Sequence, residues 1–169
     1  MSLRVWLPLL GNTNNQGMSE NIFTVSNSTY ITVDNAGKLG QCYKFNSTES
    51  NNGIHSPDNG FMDKYINNHS FSLCAWVNIA SDVLSTPVIC LSYGLRLVVG
   101  NTSAARLNLY NSAGQINCMS SVALNDGKWH HFVGTYDVDT NKMAVYVDGI
   151  NTGTATYPSG PYASSWRNG

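Results

Sequence analysis

Few groups in this chain can move a proton or hold a metal. Its 169 residues include eight aspartates, only two glutamates (Glu20 and Glu49) and four histidines. A retaining glycosidase needs two carboxyls about 5 Å apart. No strand-like run places two carboxylates two residues apart, and neither glutamate lies in such a run. No G-x-S-x-G elbow marks a serine nucleophile. His130 and His131 are adjacent, so on a strand their rings point to opposite faces and cannot chelate one ion. His55 and His69 stand alone. A non-enzymatic protein is expected.

Calcium is the one cofactor the residues put forward. It takes oxygen ligands from carboxylates, amides and carbonyls. The first candidates are Asp58, Asn59 and Asp63 in PDNGFMD, and the second are Asp137 and Asp139 in YDVDTN. Neither loop holds a full ligand set, and the same residues cap turns through their own side chains.

Sugar recognition asks for other side chains: Asn, Arg and Gln to bond hydroxyls, and an aromatic ring to stack on a pyranose face. Arg96, Arg106, Asn108, Tyr110 and Gln115 are close in sequence. Strand periodicity sorts them further. Leu107 and Leu109 point one way, and Arg106, Asn108 and Tyr110 the other. Leu95, Leu97 and Val99 oppose Arg96 and Val98. Ile116 and Cys118 oppose Gln115, Asn117 and Met119. If these three runs pair as neighbours, one sheet face carries the whole polar set. An ordinary solvated face would carry such a set too. Tyr157, Tyr162 and Trp166 are either further sugar platforms or core residues.

The elements that must position these groups are strands. Charged residues make up 11% of the chain, against roughly 25% in an average domain. Polarity comes instead from 21 Asn, 19 Ser and 12 Thr. That is a β-protein composition. Strand signals lie at Arg4–Leu9, Asn21–Val25, Tyr30–Val33, Leu39–Phe45, Ser70–Ile79, Pro87–Tyr93 and Leu95–Val99. They continue at Arg106–Tyr110, Gln115–Met119, Trp129–Tyr136, Met143–Val147 and Asn151–Tyr157. Only Asn59–Ile66 has the makings of a short helix. Many short strands with turn residues between them read as an all-β, antiparallel two-sheet sandwich forming a single domain over 1–169. Phe71, Trp76, Trp129, Phe132 and Tyr146 are expected in its packed interior or as plugs at its ends, with Trp129 plugging one end.

Several partners drop out on the same grounds. Net charge is −1 with the bases scattered singly, so no footprint for nucleic acid or an anionic membrane exists. No apolar run approaches the ~20 residues of a membrane helix. The start, MSLRVWLPLLGN, does not read as a signal peptide. Cys42, Cys74, Cys90 and Cys118 stand singly with no C-x-x-C pair, which leaves free thiols and disulfides both open. The sequons at Asn27, Asn46, Asn68 and Asn101 matter only on a eukaryotic secretory route.

Three segments carry a family resemblance. FSLCAWVN (Phe71–Asn78), DGKWHHFVGTYD (Asp126–Asp137) and NKMAVYVDG (Asn141–Gly149) resemble, in order and spacing, the laminin-G-like, concanavalin A-like jelly-roll domains. GQCYKFN (Gly40–Asn46) is similar to a strand of the same family. The opening RVWLPLLGNTNNQG resembles the start of such domains in phage tail and virion proteins. The resemblance implies a concanavalin A-like jelly roll that is part of a longer protein on a virion or bacterial surface. It also implies final strands beyond the Tyr-Val-Asp-Gly hairpin, which PYASSWRNG does not match. An unfilled edge beside Arg4–Leu9 and self-association through it are therefore expected. The family's glucanases carry a Glu-x-Asp-x-x-Glu strand that this chain lacks. The resemblance thus implies a glycan-binding or adhesion module whose partner is a surface glycan or polysaccharide. The alternative is a structural interaction domain that binds other virion or surface-protein domains.

Overall fold

Alternating β-branched and aromatic residues, punctuated by Asn, Asp and Gly, turn nearly every element into a strand. The computed structural model describes residue 3 and residues 5–46, 53–56, 61–80, 86–91, 95–99, 105–111 and 114–157. The side chains of residues 62, 63, 86, 91 and 111 are outside the description. The chain divides into two compact units, Met1–Gly60 and Phe61–Gly169.

In the first unit β1 (Thr24–Val25) pairs with β4 (Ile54–His55), and β2 (Ile31–Gly37) pairs with β3 (Gly40–Phe45), both antiparallel. Asn21 is buried and its amide donates to Ser56 Oγ at 3.0 Å. The strand expected at Arg4–Leu9 does not form. Arg4 lies outside the described residues, and residues 5–9 have no regular structure. Pro8 removes one backbone donor, and Leu9 takes a φ of 56°, which ends any extended run. Local bonds satisfy the segment instead. The Trp6 N–H donates to Asn15 Oδ1 at 2.9 Å, and its carbonyl accepts from the Gln16 N–H at 2.7 Å. The open edge expected beside this segment has no strand to belong to.

The second unit opens with the one-turn helix α1 (Phe61–Tyr65). Then follow β5 (Phe71–Asn78), β6 (Thr86–Leu91), β7 (Leu95–Val99), β8 (Arg106–Asn111) and β9 (Gly114–Met119). The last three are β10 (Trp129–Asp137), β11 (Lys142–Val147) and β12 (Ile150–Thr156). They make two antiparallel four-stranded sheets, in the orders β12-β11-β10-β5 and β6-β7-β8-β9. This is an antiparallel β-sandwich of the jelly-roll type.

One apolar core lies between the sheets. Leu95, Leu97, Val99, Leu107, Leu109 and Cys118 come from one sheet, and Phe71, Val77, Phe132, Tyr136, Met143, Val145 and Val147 from the other. Gly134, in the middle of β10, lets Leu97 and Leu107 approach. A Cβ there would stand 2.8 Å from Leu97 Cδ1 and 3.2 Å from Leu107 Cδ1. The sheets also close at one corner. The Ser121 N–H donates to the Thr152 carbonyl at 2.8 Å, and Ser120 Oγ meets Thr152 Oγ1 at 2.9 Å. Gly153 makes that corner possible, because a Cβ would overlap the carbonyl oxygen of Met119. Asp148 and Gly149, both at positive φ, form the turn that joins β11 to β12.

Register corrects part of the expected interior. Phe71 and Phe132 are buried. Trp76 pairs with His131 on the outer face and is 40% exposed. Trp129 and Tyr146 are half-buried on that same face. In a strand only alternate residues face inward, and Phe71, Leu73, Ala75 and Val77 hold the inward places in β5.

Denaturation in urea separates these positions. Phe132→Ala is expected to cost about 3–5 kcal/mol, as loss of a core ring does, and Trp76→Ala less than about 1 kcal/mol. Gly153→Ala is expected to cost about 1–3 kcal/mol or more through overpacking. Equal losses for Phe132→Ala and Trp76→Ala would show that the face assignment of β5 is wrong.

Candidate functional site

The antiparallel pairing of β7, β8 and β9 assembles the polar set. Arg96 stands opposite Asn108, and Asn108 opposite Asn117. Arg106 stands opposite Val98 and Met119, and Tyr110 opposite Gln115. All therefore share one face, while Leu107 and Leu109 are fully buried on the other. Arg96, Arg106, Asn108, Tyr110 and Gln115 thus come together as the alternation predicts.

The face is graded in depth. Asn108 is 3% exposed and Val98 is buried beside it, whereas Gln115, Asn117 and Met119 along β9 are exposed. Asn108 shares the polar face with its neighbours and is itself buried, at the floor of that face. Tyr110 Oη donates to Gln115 Oε1 at 2.6 Å, and Gln115 Nε2 donates to Asn117 Oδ1 at 2.5 Å. The Arg96 guanidinium carbon lies 6.0 Å from the centre of the Tyr110 ring, within cation–π range. The Tyr110 carbonyl accepts from Tyr157 Oη at 3.1 Å. Tyr157 is buried and packs edge-on against Tyr136 at 5.6 Å, so it is a core residue that steadies β8 from behind. Tyr162 and Trp166 lie outside the described residues.

Among the described residues, Asn108 Oδ1 has no hydrogen-bond partner. A buried carbonyl oxygen left so costs about 1–3 kcal/mol. No carboxylate occurs anywhere in β6, β7, β8 or β9, so the face presents amides, guanidinium groups and a phenol.

The calcium candidates fare differently. Asp58 and Asn59 lie outside the described residues. Asp63 falls in α1, with its side chain outside the description. Asp137 serves its own hairpin. Its carboxylate accepts from Thr140 Oγ1 at 2.7 Å, from the Asp139 N–H at 3.0 Å and from Ser70 Oγ at 3.5 Å. The Thr140 hydroxyl, followed by the Asp139 amide, holds the Asp137 carboxyl below the usual range. His130 and His131 part as the strand requires. His131 packs on Trp76 at 5.1 Å between ring centres, and His130 bonds Asp126 and Asp148.

Cys42, Cys74 and Cys118 are free thiols; Cys74 is exposed and Cys118 is buried. Burial pushes the Cys118 thiol up to about 11, which leaves it an inert core group.

A model of the concanavalin A-like lectin/glucanases superfamily matches residues 48–168. The chain belongs to that superfamily. A comparison with curated protein sequences gives no significant match. Among solved structures, the chain is similar to the binding domain of Paraclostridial Mosquitocidal Protein 1, at TM-score 0.66 and 13% identity. The match covers 92% of this chain and 39% of that one, so the chain spans about two fifths of that relative. It is also similar to domain 4 of AbnA, a GH43 extracellular arabinanase from Geobacillus stearothermophilus, solved with arabinotriose. There the TM-score is 0.59 at 13% identity, covering 97% of this chain and 81% of that one. At such identities the likeness establishes the fold.

Asp137 contributes to the acid side of the stability profile. Its depressed carboxyl contributes stability above the unfolded value of about 3.9, and that stability is lost as pH falls through the folded value. Melting temperatures between pH 7 and pH 3 are expected to fall less steeply for Asp137→Asn than for the parent chain. Identical slopes would contradict the hairpin role.

Proposed function

We propose that this domain is a non-catalytic glycan-binding module, and that the sugar lies on the β7–β8–β9 face. The observation that carries the reading is the composition of that face. It sets a Tyr110–Gln115–Asn117 hydrogen-bonded row beside two half-buried arginines. A sugar offers donors, acceptors and an apolar ring face at once, and this face answers each. The exposed amides of Gln115 and Asn117 bond the sugar's hydroxyls, and the arginines donate to ring or hydroxyl oxygens. Tyr110 contributes ring area. The absence of carboxylates from all four strands of this sheet favours binding over glycoside hydrolysis. The arabinotriose complex of the fold relative supports a sugar partner. Such a module serves an extracellular, virion or cell-surface protein, and the specific setting is part of the proposal.

The competing reading, a protein–protein interaction domain, is favoured by a different observation. The outer face of the other sheet carries Trp76, 40% exposed, packed beside His131.

A glycan array followed by calorimetry on the best-binding oligosaccharide distinguishes them. Tyr110→Ala is expected to weaken that binding by about 1 kcal/mol, roughly fivefold, as loss of an aromatic contact does, with the fold retained. Trp76→Ala is expected to leave it unchanged. No binding to any glycan would overturn the proposal in favour of the interaction domain.

A further inference from the structure

At the end of the sandwich, one imidazole is gripped by two carboxylates from different turns. His130, on β10, has its side chain only 15% exposed. Its Nδ1 lies 2.7 Å from Asp148 Oδ2, in the β11–β12 turn. Its Nε2 lies 3.0 Å from Asp126 Oδ1, in the turn that precedes β10. Ionised carboxylates only accept hydrogen bonds. Both contacts therefore need an N–H on each ring nitrogen, which only the imidazolium has. A neutral imidazole carries one N–H, and its other nitrogen would point a lone pair at a carboxylate.

The two grips are not equal. Asp148 is fixed independently: its Oδ1 accepts the His131 N–H at 2.8 Å, and its own N–H donates to the His131 carbonyl at 2.9 Å. Asp126 has a substitute partner in Lys128, whose Nζ is 3.2 Å from Oδ2 and whose N–H bonds Oδ1 at 3.0 Å. Its turn is tethered to the end of β5 by Gly127, which donates to the Ile79 carbonyl and accepts from Asn78 Nδ2, both at 3.0 Å. On β5, the residue paired with His130 is the uncharged Val77. Among the described residues, the charged and titratable groups around the ring are Asp126, Lys128, Asp148 and the neighbouring His131.

We propose that His130 is a proton-operated fastener between these two turns, closed on both sides as the imidazolium and released on its Asp126 side when it loses a proton. The hydrogen bond to Asp148, then the bond and charge of Asp126, raise the His130 pKa above its ordinary value. The fastener's contribution is complete below about 6.5, the unfolded value, and is lost as pH rises through the folded one. On the acid side Asp126 is held down to about 2, chiefly by its bond to His130, and Asp148 is depressed by the same ring. Their share is present above about 3.9 and lost as pH falls. This end of the module is therefore held most firmly between the two carboxylate transitions and the imidazole one, and loosens as pH rises through the latter.

The test is an NMR titration of the full chain from pH 5 to 9, reading the His130 ring nitrogens and amide protection factors. Both nitrogens are expected to carry protons at pH 6, and Nδ1 alone at pH 9. Gly127 is expected to lose about tenfold in protection across that range, the scale of one charge-assisted hydrogen bond, while His131 keeps its own. Asp126→Asn supplies an amide donor to the neutral ring, so its Gly127 protection is expected to stay level as pH rises. An Nε2-protonated ring at high pH, a His130 pKa below 6.5, or the same Gly127 loss in Asp126→Asn would each overturn the proposal.

Discussion

Leu97 and Leu107 close on Gly134 across the sandwich, and the orientation of the side chains in both sheets follows from that contact. A side chain on Gly134 would hold the sheets apart. A one-residue slip of β7 or β8 would carry their leucines to the opposite face and bring arginine or asparagine inward. The cost of burying those polar groups in an apolar layer fixes the register. Once Leu97 pairs with Leu107, and Leu107 with Cys118, the facing of Arg96, Arg106, Asn108 and Tyr110 is determined. The polar face is thus a by-product of how the core is packed.

The two outer surfaces of the sandwich differ in chemistry. The face of β7, β8 and β9 deepens from the exposed amides of β9 to the buried Asn108, and carries guanidinium groups beside a phenol. The face of β5, β10 and β11 carries Trp76, Trp129, His131 and Tyr146, with small polar residues such as Ser72 and Thr135 beyond them. The first surface is rich in amide and guanidinium groups. The second offers aromatic area whose indole, imidazole and phenol groups also hydrogen-bond. Tyr157 buttresses the first by holding the β8 backbone through the Tyr110 carbonyl.

Much of this was legible in the sequence, because strand alternation is a local signal. The runs at Leu95–Val99, Arg106–Tyr110 and Gln115–Met119 each show two-residue periodicity, and the structure keeps their boundaries to within a residue. Parity also held the answer for the misplaced aromatics. Phe71 and Trp76 are five residues apart, so one strand cannot bury both, and the same holds for Trp129 and Phe132. Other features were not legible. The failure of Arg4–Leu9 as a strand depends on Pro8 and on the left-handed Leu9, and apolar content gave no warning of it. The burial of Asn108 depends on depth across a sheet, which periodicity does not encode. The joining of Asp126, His130 and Asp148 needs the β10–β11 register, which sets the turn at Asp148 beside the start of β10.

The central claim is that sugar binds the β7–β8–β9 face. Amide chemical-shift mapping with the best-binding oligosaccharide from the array tests it most directly. The shifts expected are those of Arg96, Arg106, Asn108, Tyr110, Gln115 and Asn117, with β5 and β10 undisturbed. Shifts confined to Trp76, Trp129 and His131 would contradict the claim and move the binding surface to the opposite sheet.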